Sequence, residues 1–192
     1  MIINSVFIFV SIFLSGVILI LTDWRWKMAG LAVIQLICFI QILQIWPIAL
    51  ASVKLISGWM GIALMSATLA SSREIKNFKS RASAKVFKLM LAAFSWIVIS
   101  ASVEKLNSWL PIPYTNLFIG LIFFFCGIFY FSQECEINGI GIGLLIFLSG
   151  FDLIYSSLEG SALVTGIYGL IIILISIISS YLQGGLSEGE IN

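Results

Sequence analysis

The chain has 192 residues, of which 60% are hydrophobic and only 10% are charged, and its mean hydropathy is +1.13. A soluble domain needs about a quarter charged residues to cover its surface, so this composition excludes a soluble fold and indicates a multi-spanning membrane protein. The net charge is only +1, and the longest polar stretch, residues 71–85, is too short to form a soluble domain.

Long apolar runs follow one another along the chain, and each is long enough to cross about 30 Å of hydrocarbon. We therefore predict an all-α integral membrane protein with seven transmembrane helices. The first run has no basic residues before it and is long enough to span, so we interpret it as a retained helix and not as a signal peptide. Pro47 and Pro111 mark two turns, because proline interrupts the helical hydrogen-bond ladder. The predicted spans are residues 2–21, 28–45, 48–69, 86–103, 114–131, 139–158 and 162–182.

Basic residues are sorted to one face of this predicted membrane domain. With seven spans, the loops after spans one, three and five share a face with the C-terminus, and that face carries eight of the ten Lys and Arg residues. The opposite face carries only Lys105. Because cytoplasmic loops are enriched in Lys and Arg, we predict an external N-terminus and a cytoplasmic C-terminus, with residues 183–192 as a flexible polar tail. The eight residues are Arg25, Lys27, Arg73, Lys76, Lys79, Arg81, Lys85 and Lys88.

The basic cytoplasmic loop, residues 71–85, and the adjoining Lys88 contain six cations, which Ile75 and Phe78 interrupt. This pattern is typical of a short surface helix that binds anionic lipid, at about 1 kcal/mol per charge. The alternative is that the basic loop only fixes the membrane topology. The lipid-surface candidates are Arg73, Lys76, Lys79, Arg81, Lys85 and Lys88.

Spans one to three and five to seven share a layout at a constant offset of 113 residues. A Gly-Leu pair begins each middle span, at Gly30 and Gly143, and an Ala-Leu pair follows the next turn, at Ala49 and Ala162. Two copies joined by span four would form a 3+1+3 parallel repeat, an organisation found in many transporters. Chance similarity between apolar helices is the alternative interpretation.

Two ionisable residues, Lys54 and Asp152, lie deep inside predicted spans. Lys54 follows Pro47 by seven residues and Asp152 precedes Glu159 by seven, so at about 1.5 Å per residue both lie roughly 10 Å below the outer turns. An intramembrane charge costs about 2.5–3.5 kcal/mol on insertion scales. Such a residue normally forms an ion pair, extends its charged group to the membrane interface, or has a function. Contact between the two is geometrically possible and would offset the cost of burial, but the sequence does not decide whether they pair. The alternative is that Lys54 snorkels to the interface while Asp152 only pins a helix contact.

Three further polar side chains are predicted at a comparable height. Gln41 and Gln44 end span two at positions i and i+3, on one helix face, and Glu104 lies near the outer end of span four. With Lys54 and Asp152 they are the candidates for a proton or cation path. The glutamines could instead serve only as hydrogen bonds between helices.

Several classes of site are excluded by the residues present. The chain has no histidine, which removes His-ligated haem, the usual zinc sites and His-based proton relays. The three cysteines match no metal-binding spacing, and we interpret them as packing residues. The Gly139-Ile-Gly-Ile-Gly143 run suits close helix packing. It is not interpreted as a nucleotide-binding loop, because such a loop follows a strand and no strand precedes this run. We therefore expect a protein that is not an enzyme and binds neither cofactor, metal nor nucleic acid.

Residues 143–153, Gly-Leu-Leu-Ile-Phe-Leu-Ser-Gly-Phe-Asp-Leu, followed by span seven, resemble the small K-type membrane subunits of complex I. They are also similar to the related subunits of multisubunit cation/proton antiporters and to the E-type subunit of membrane hydrogenases. The resemblance covers spans five to seven and implies a subunit that helps to move protons or sodium ions inside a larger assembly. The mid-membrane glutamates of that family have no counterpart here, so no functional residue is carried over.

The leading hypothesis is therefore a subunit of an ion-translocating, energy-transducing membrane complex. Its expected partners are the lipid bilayer and other membrane subunits, and its expected location is a prokaryotic plasma membrane. Two alternatives are a stand-alone small transporter or channel and a structural or assembly protein with no transport role.

Overall fold

A computed structural model describes residues 2–71, 82–134 and 136–189. These residues form seven α-helices and no strand, which confirms the predicted all-α class. The helices are α1 (Ile2–Ile20), α2 (Trp24–Ile42), α3 (Ile48–Ser71), α4 (Ala82–Trp109), α5 (Tyr114–Gln133), α6 (Ile137–Leu158) and α7 (Ala162–Gly189).

Prolines set two of the helix starts: α3 begins directly after Pro47 and α5 directly after Pro113. Several helices are longer than the predicted spans, because extending an existing helix adds a hydrogen bond without a new nucleation step. Helix α4 is ten residues longer than its predicted span, and α7 continues seven residues further than predicted, to Gly189. Most of the segment predicted as a flexible tail is therefore helical, and only 190–192 of that tail lie outside the described residues.

Six helices in the described part of the chain, α2 to α7, contain stretches that are long and apolar enough to cross a membrane. The apolar segment of α1, Ser5–Ile20, is shorter. The multi-pass helical architecture agrees with the sequence prediction. The orientation of the helices relative to the two sides of the membrane stays a prediction.

The helices pack as two layers of three, with one helix added at an edge. The first layer contains α1, α2 and α3, and the second contains α5, α6 and α7. Each helix packs on its counterpart in the other layer, α1 on α5, α2 on α6 and α3 on α7, while α4 packs on α1 and α5. The helices thus divide 3+1+3 by packing, and whether the two layers are copies of one repeat stays a prediction.

Among the described helices, α5 and α6 have the most extensive contact, and this contact depends on glycine. A Cβ atom added at Gly127 would lie 2.5 Å from the Phe147 Cα, and one added at Gly150 would lie 2.5 Å from the Gly120 carbonyl oxygen. Small residues allow membrane helices to approach until their backbones touch. This tight pair fixes the position of α6, the helix that carries Asp152.

Candidate functional site

Lys54 and Asp152 form a buried ion pair between α3 and α6. The Lys54 Nζ lies 2.6 Å from the Asp152 Oδ1, and the two side chains are only 5% and 6% exposed. The contact between these two residues is therefore confirmed. Lys54 does not extend away from Asp152 to the interface, as the alternative interpretation required. A buried pair offsets the cost of removing two charges from water only when its geometry is good and its remaining hydrogen-bonding groups are satisfied.

Two aromatic rings complete the surroundings of the Lys54 ammonium. Its Nζ lies 4.4 Å from the centre of the Trp46 ring and 5.6 Å from the centre of the Tyr168 ring. Both distances allow cation–π attraction, which is strongest for tryptophan and grows when the cation is desolvated. A carboxylate and two rings, contributed by three parts of the chain, therefore enclose the ammonium group.

A second set of polar contacts lies one helical turn deeper on α6, at Ser149. The Gln35 Nε2 donates a hydrogen bond of 2.8 Å to the Ser149 Oγ, which itself donates to the Leu145 carbonyl at 2.7 Å. The Cys38 thiol donates to the Ser149 carbonyl across 3.7 Å. These contacts bring α2 against α6, so that α2, α3, α6 and α7 together surround the ion pair.

The hydroxyl group of Tyr168 is buried in the same region, beside Asp152, Cys38 and Ser149. It approaches Ser149 but forms no hydrogen bond of good geometry with any group in the described part of the chain. An unpaired hydroxyl is costly in an apolar interior. The Tyr168 hydroxyl therefore lies beside the ion pair without a hydrogen-bond partner among the described residues.

The predicted glutamines contact each other but not the ion pair. The Gln44 Nε2 donates to the Gln41 Oε1 at 3.1 Å. Gln41 is buried, whereas Gln44 is exposed and lies in the turn beyond the end of α2 at Ile42. Within the described ranges, no hydrogen bond joins either amide to Lys54 or Asp152, so the predicted five-residue cluster is not formed in full.

Glu104 is also not brought to the site. It is exposed on α4, and α4 packs on α1 and α5, whereas Lys54 lies on α3. The depth of Glu104 along its helix could be counted from the sequence. Its position in the plane of the membrane depends on which helices α4 packs against, and the depth of a residue along its helix does not determine this.

Sequence patterns missed Gln35, Ser149, Trp46 and Tyr168 as neighbours of the pair. One signal was present in span two, where Gln35, Cys38 and Gln41 recur every three residues and so lie near one helix face. Trp46 was interpreted only as part of a turn. Tyr168 had no distinguishing signal, because an aromatic residue in an apolar span is usually a packing residue.

A separate charged cluster lies at the other end of the helices, around Glu134. The Glu134 Oε1 is 3.5 Å from the Lys27 Nζ and 3.4 Å from the Lys88 Nζ. Lys88, one of the lipid-surface candidates, pairs with Glu134, and its contact with lipid headgroups stays a prediction. Of the other lipid-surface candidates, Arg73, Lys76, Lys79 and Arg81 lie outside the described residues, as does the side chain of Lys85, and their role stays a prediction.

Replacement of Glu134 by glutamine is expected to lower the free energy of unfolding by about 1 kcal/mol, because the two ion pairs are partly exposed and such pairs contribute little each. Denaturation of the detergent-solubilised protein, followed by circular dichroism, measures this loss. Glu104→Gln is the matched control and should have no effect. A loss above about 3 kcal/mol would mean that Glu134 behaves as a fully buried charge.

Among the residues that the structure describes, no three His, Cys, Asp or Glu side chains converge on a site that could hold a metal ion. Comparisons with protein-family models, with curated proteins and with solved structures find no match to this chain. The site is therefore interpreted from its own geometry.

Proposed function

We propose that the protein is a membrane subunit that moves protons or sodium ions within a larger energy-transducing assembly, with Lys54 and Asp152 as its charge-transfer centre. The observation that carries this proposal is the 2.6 Å contact between two enclosed, oppositely charged side chains. Ionisable residues inside membrane helices are rare and mark ion pathways and proton relays.

The surroundings of the pair support a role in charge transfer. The Lys54 ammonium and the Asp152 carboxylate share a hydrogen bond, so a proton can pass from the nitrogen to the oxygen. For a metal cation, the arriving ion can take the place of the ammonium beside the carboxylate. The unpaired Tyr168 hydroxyl offers a further hydrogen-bonding group next to Asp152. The Gln35–Ser149 contact holds α2 and α6 in place around these groups.

The assembly part of the proposal rests on the resemblance of spans five to seven to K-type subunits. Purification of the epitope-tagged protein from its native membranes in mild detergent tests it. We expect the protein to co-migrate with other membrane subunits. Recovery as a monomer without partners would contradict the assembly proposal.

Ion movement is tested with the assembly that co-purifies with the tagged chain. After reconstitution into vesicles with a pH-sensitive or sodium-sensitive dye, Lys54→Met and Asp152→Asn are each expected to reduce flux to the level of empty vesicles. The control is Lys105→Met, which removes an exposed cation near the end of α4 and should leave flux unchanged. Flux retained in both site variants would reject the charge-transfer role.

A structural role for the pair is the main alternative, and the enclosed geometry of Lys54 and Asp152 favours it. The double variant Lys54→Met/Asp152→Leu separates the two roles, because apolar residues of similar size commonly replace a buried ion pair without loss of stability. If the pair transfers charge, the double variant is stable and has no flux. If the pair is structural, the double variant is stable and flux is normal.

A stand-alone transporter is the second candidate, favoured by the matched three-helix layers. This candidate predicts ion flux in vesicles that contain the purified chain alone. The same Lys54 and Asp152 variants then serve as its site controls.

A further inference from the structure

A cleft of about 300 Å³ opens between the α2–α3 turn and the α6–α7 turn. Its lining includes Trp46, Leu50, Ser156, Glu159 and Gly160. Glu159 is the single carboxylate among the described lining residues, and it accepts a hydrogen bond of 3.1 Å from the Tyr155 hydroxyl. The cleft therefore carries a negative charge at the end of the helices nearest to Lys54 and Asp152.

Trp46 is the residue shared by the cleft and the ion pair. It lines the cleft, and its ring also lies 4.4 Å from the Lys54 Nζ. Neither Lys54 nor Asp152 is part of the described cleft lining. The indole thus lies between the open cleft and the enclosed pair.

The Trp46 side chain is almost fully buried and belongs to the apolar core, and two contacts orient its ring. Its Nε1 donates a hydrogen bond of 2.8 Å to the Ser156 carbonyl, one turn of α6 beyond Asp152. Its ring faces Gly160, where an added Cβ would be 3.7 Å away. Trp46 lies in the turn between α2 and α3, outside both helices, so displacement of the buried indole would cost its packing contacts but would break no helix.

We propose that this cleft is the access site for a monovalent cation or a proton, and that Trp46 is the gate residue that separates it from Lys54 and Asp152. This inference rests on the proposed function and specifies how an ion reaches the centre. Glu159 attracts the cation into the cleft, and displacement of the indole opens the way to the Asp152 carboxylate. In the predicted orientation, the cleft faces the outside.

The gate is tested by the access of a water-soluble carbodiimide to the ion pair in the detergent-purified protein. The reagent adds to the Asp152 carboxyl group to give an O-acylisourea. The Lys54 amine then displaces a urea and forms an amide, so the reagent carries away one water. The product is a cross-link between α3 and α6 peptides, and mass spectrometry measures its yield.

We expect little cross-link in the native protein and in Trp46→Phe, which keeps an aromatic ring. Trp46→Ala should raise the yield by at least about tenfold, because it turns a minor open state into the major one. Cross-links from Glu134 to Lys27 or Lys88, at the opposite end of the helices, report that the reagent works equally in every variant. If Trp46→Ala does not fold, Trp46→Leu should show the same rise in yield.

Three results would overturn the gate. One is a native Lys54–Asp152 cross-link as efficient as the Glu134 reference. Another is a folded Trp46→Ala protein that remains free of the cross-link. The third is a rise in the Lys54–Asp152 cross-link that is accompanied by maleimide labelling of Cys126. Because Cys126 is buried against the Ser15 carbonyl, its labelling would show that the whole helix bundle has loosened. Because this test measures access and not transport, a confirmed gate with unchanged flux in Lys54→Met would reject only the proposed function.

Discussion

Asp152→Leu is expected to lower the free energy of unfolding by about 3–5 kcal/mol, the cost typical of leaving one charge of a buried pair without its partner. The remaining Lys54 ammonium would keep only the attraction of the Trp46 and Tyr168 rings, which does not replace a carboxylate. Lys54→Met should have a loss of similar size, because Asp152 would then be the unpaired charge. Chemical or thermal unfolding in detergent measures both losses.

The double variant Lys54→Met/Asp152→Leu is expected to recover most of this loss, and it could exceed the native stability by about 1–4 kcal/mol. Recovery in the double variant measures the coupling between the two side chains directly. Lys105→Met controls for the loss of an exposed cation. Losses that simply add in the double variant would show that the two charges do not stabilise each other.

Gly127→Ala and Gly150→Ala are each expected to destabilise the protein by about 1–3 kcal/mol, as overpacked cores do. The new methyl group would meet backbone atoms of the facing helix, Phe147 for Gly127 and Gly120 for Gly150. Backbone cannot rotate away as a flexible side chain can, so α5 and α6 must separate. The same unfolding measurements apply.

Gly166→Ala is the matched control for these glycine variants. It is also a helix glycine, but an added Cβ there meets nothing within 4 Å, so this change should be neutral or stabilising by up to about 1 kcal/mol. Similar losses at Gly166 and Gly127 would mean that backbone contact between α5 and α6 does not limit stability.

The helix pattern and the depth of the two charges could be predicted from the sequence, because both depend on distance along the chain. Apolar runs give the number of helices, and proline marks the starts of α3 and α5. Counting residues from Pro47 and Glu159 placed Lys54 and Asp152 at one height. Electrostatic cost then favoured a contact between them, but depth alone did not show that their helices are neighbours.

Lateral arrangement could not be predicted in the same way. Glu104 has a suitable depth but lies on α4, on the side of the layers away from α3. Gln35 reaches Ser149 while Gln41 does not, although both are amides on α2. Which amide faces α6 depends on how α2 is rotated, and an almost uniformly apolar helix carries little information on its rotation.

The role of Trp46 depends on a contact between distant parts of the chain. The sequence Trp46-Pro47 predicts a turn, and the turn is present. That the indole reaches the Ser156 carbonyl, 110 residues later, follows only once α2 packs on α6. The local sequence therefore predicts that Trp46 lies in a turn, but it does not predict which residues the indole contacts.

The two members of the ion pair are separated by 98 residues, which affects how the chain is made. At roughly 5–20 residues per second of synthesis, Lys54 leaves the ribosome about 5–20 s before Asp152 does. If α3 enters the bilayer during that time, it carries an uncompensated ammonium, which we expect to be drawn toward nearby headgroups. Arrival of α6 would then pull the lysine inward, so that completion of the second layer drives the final insertion of α3.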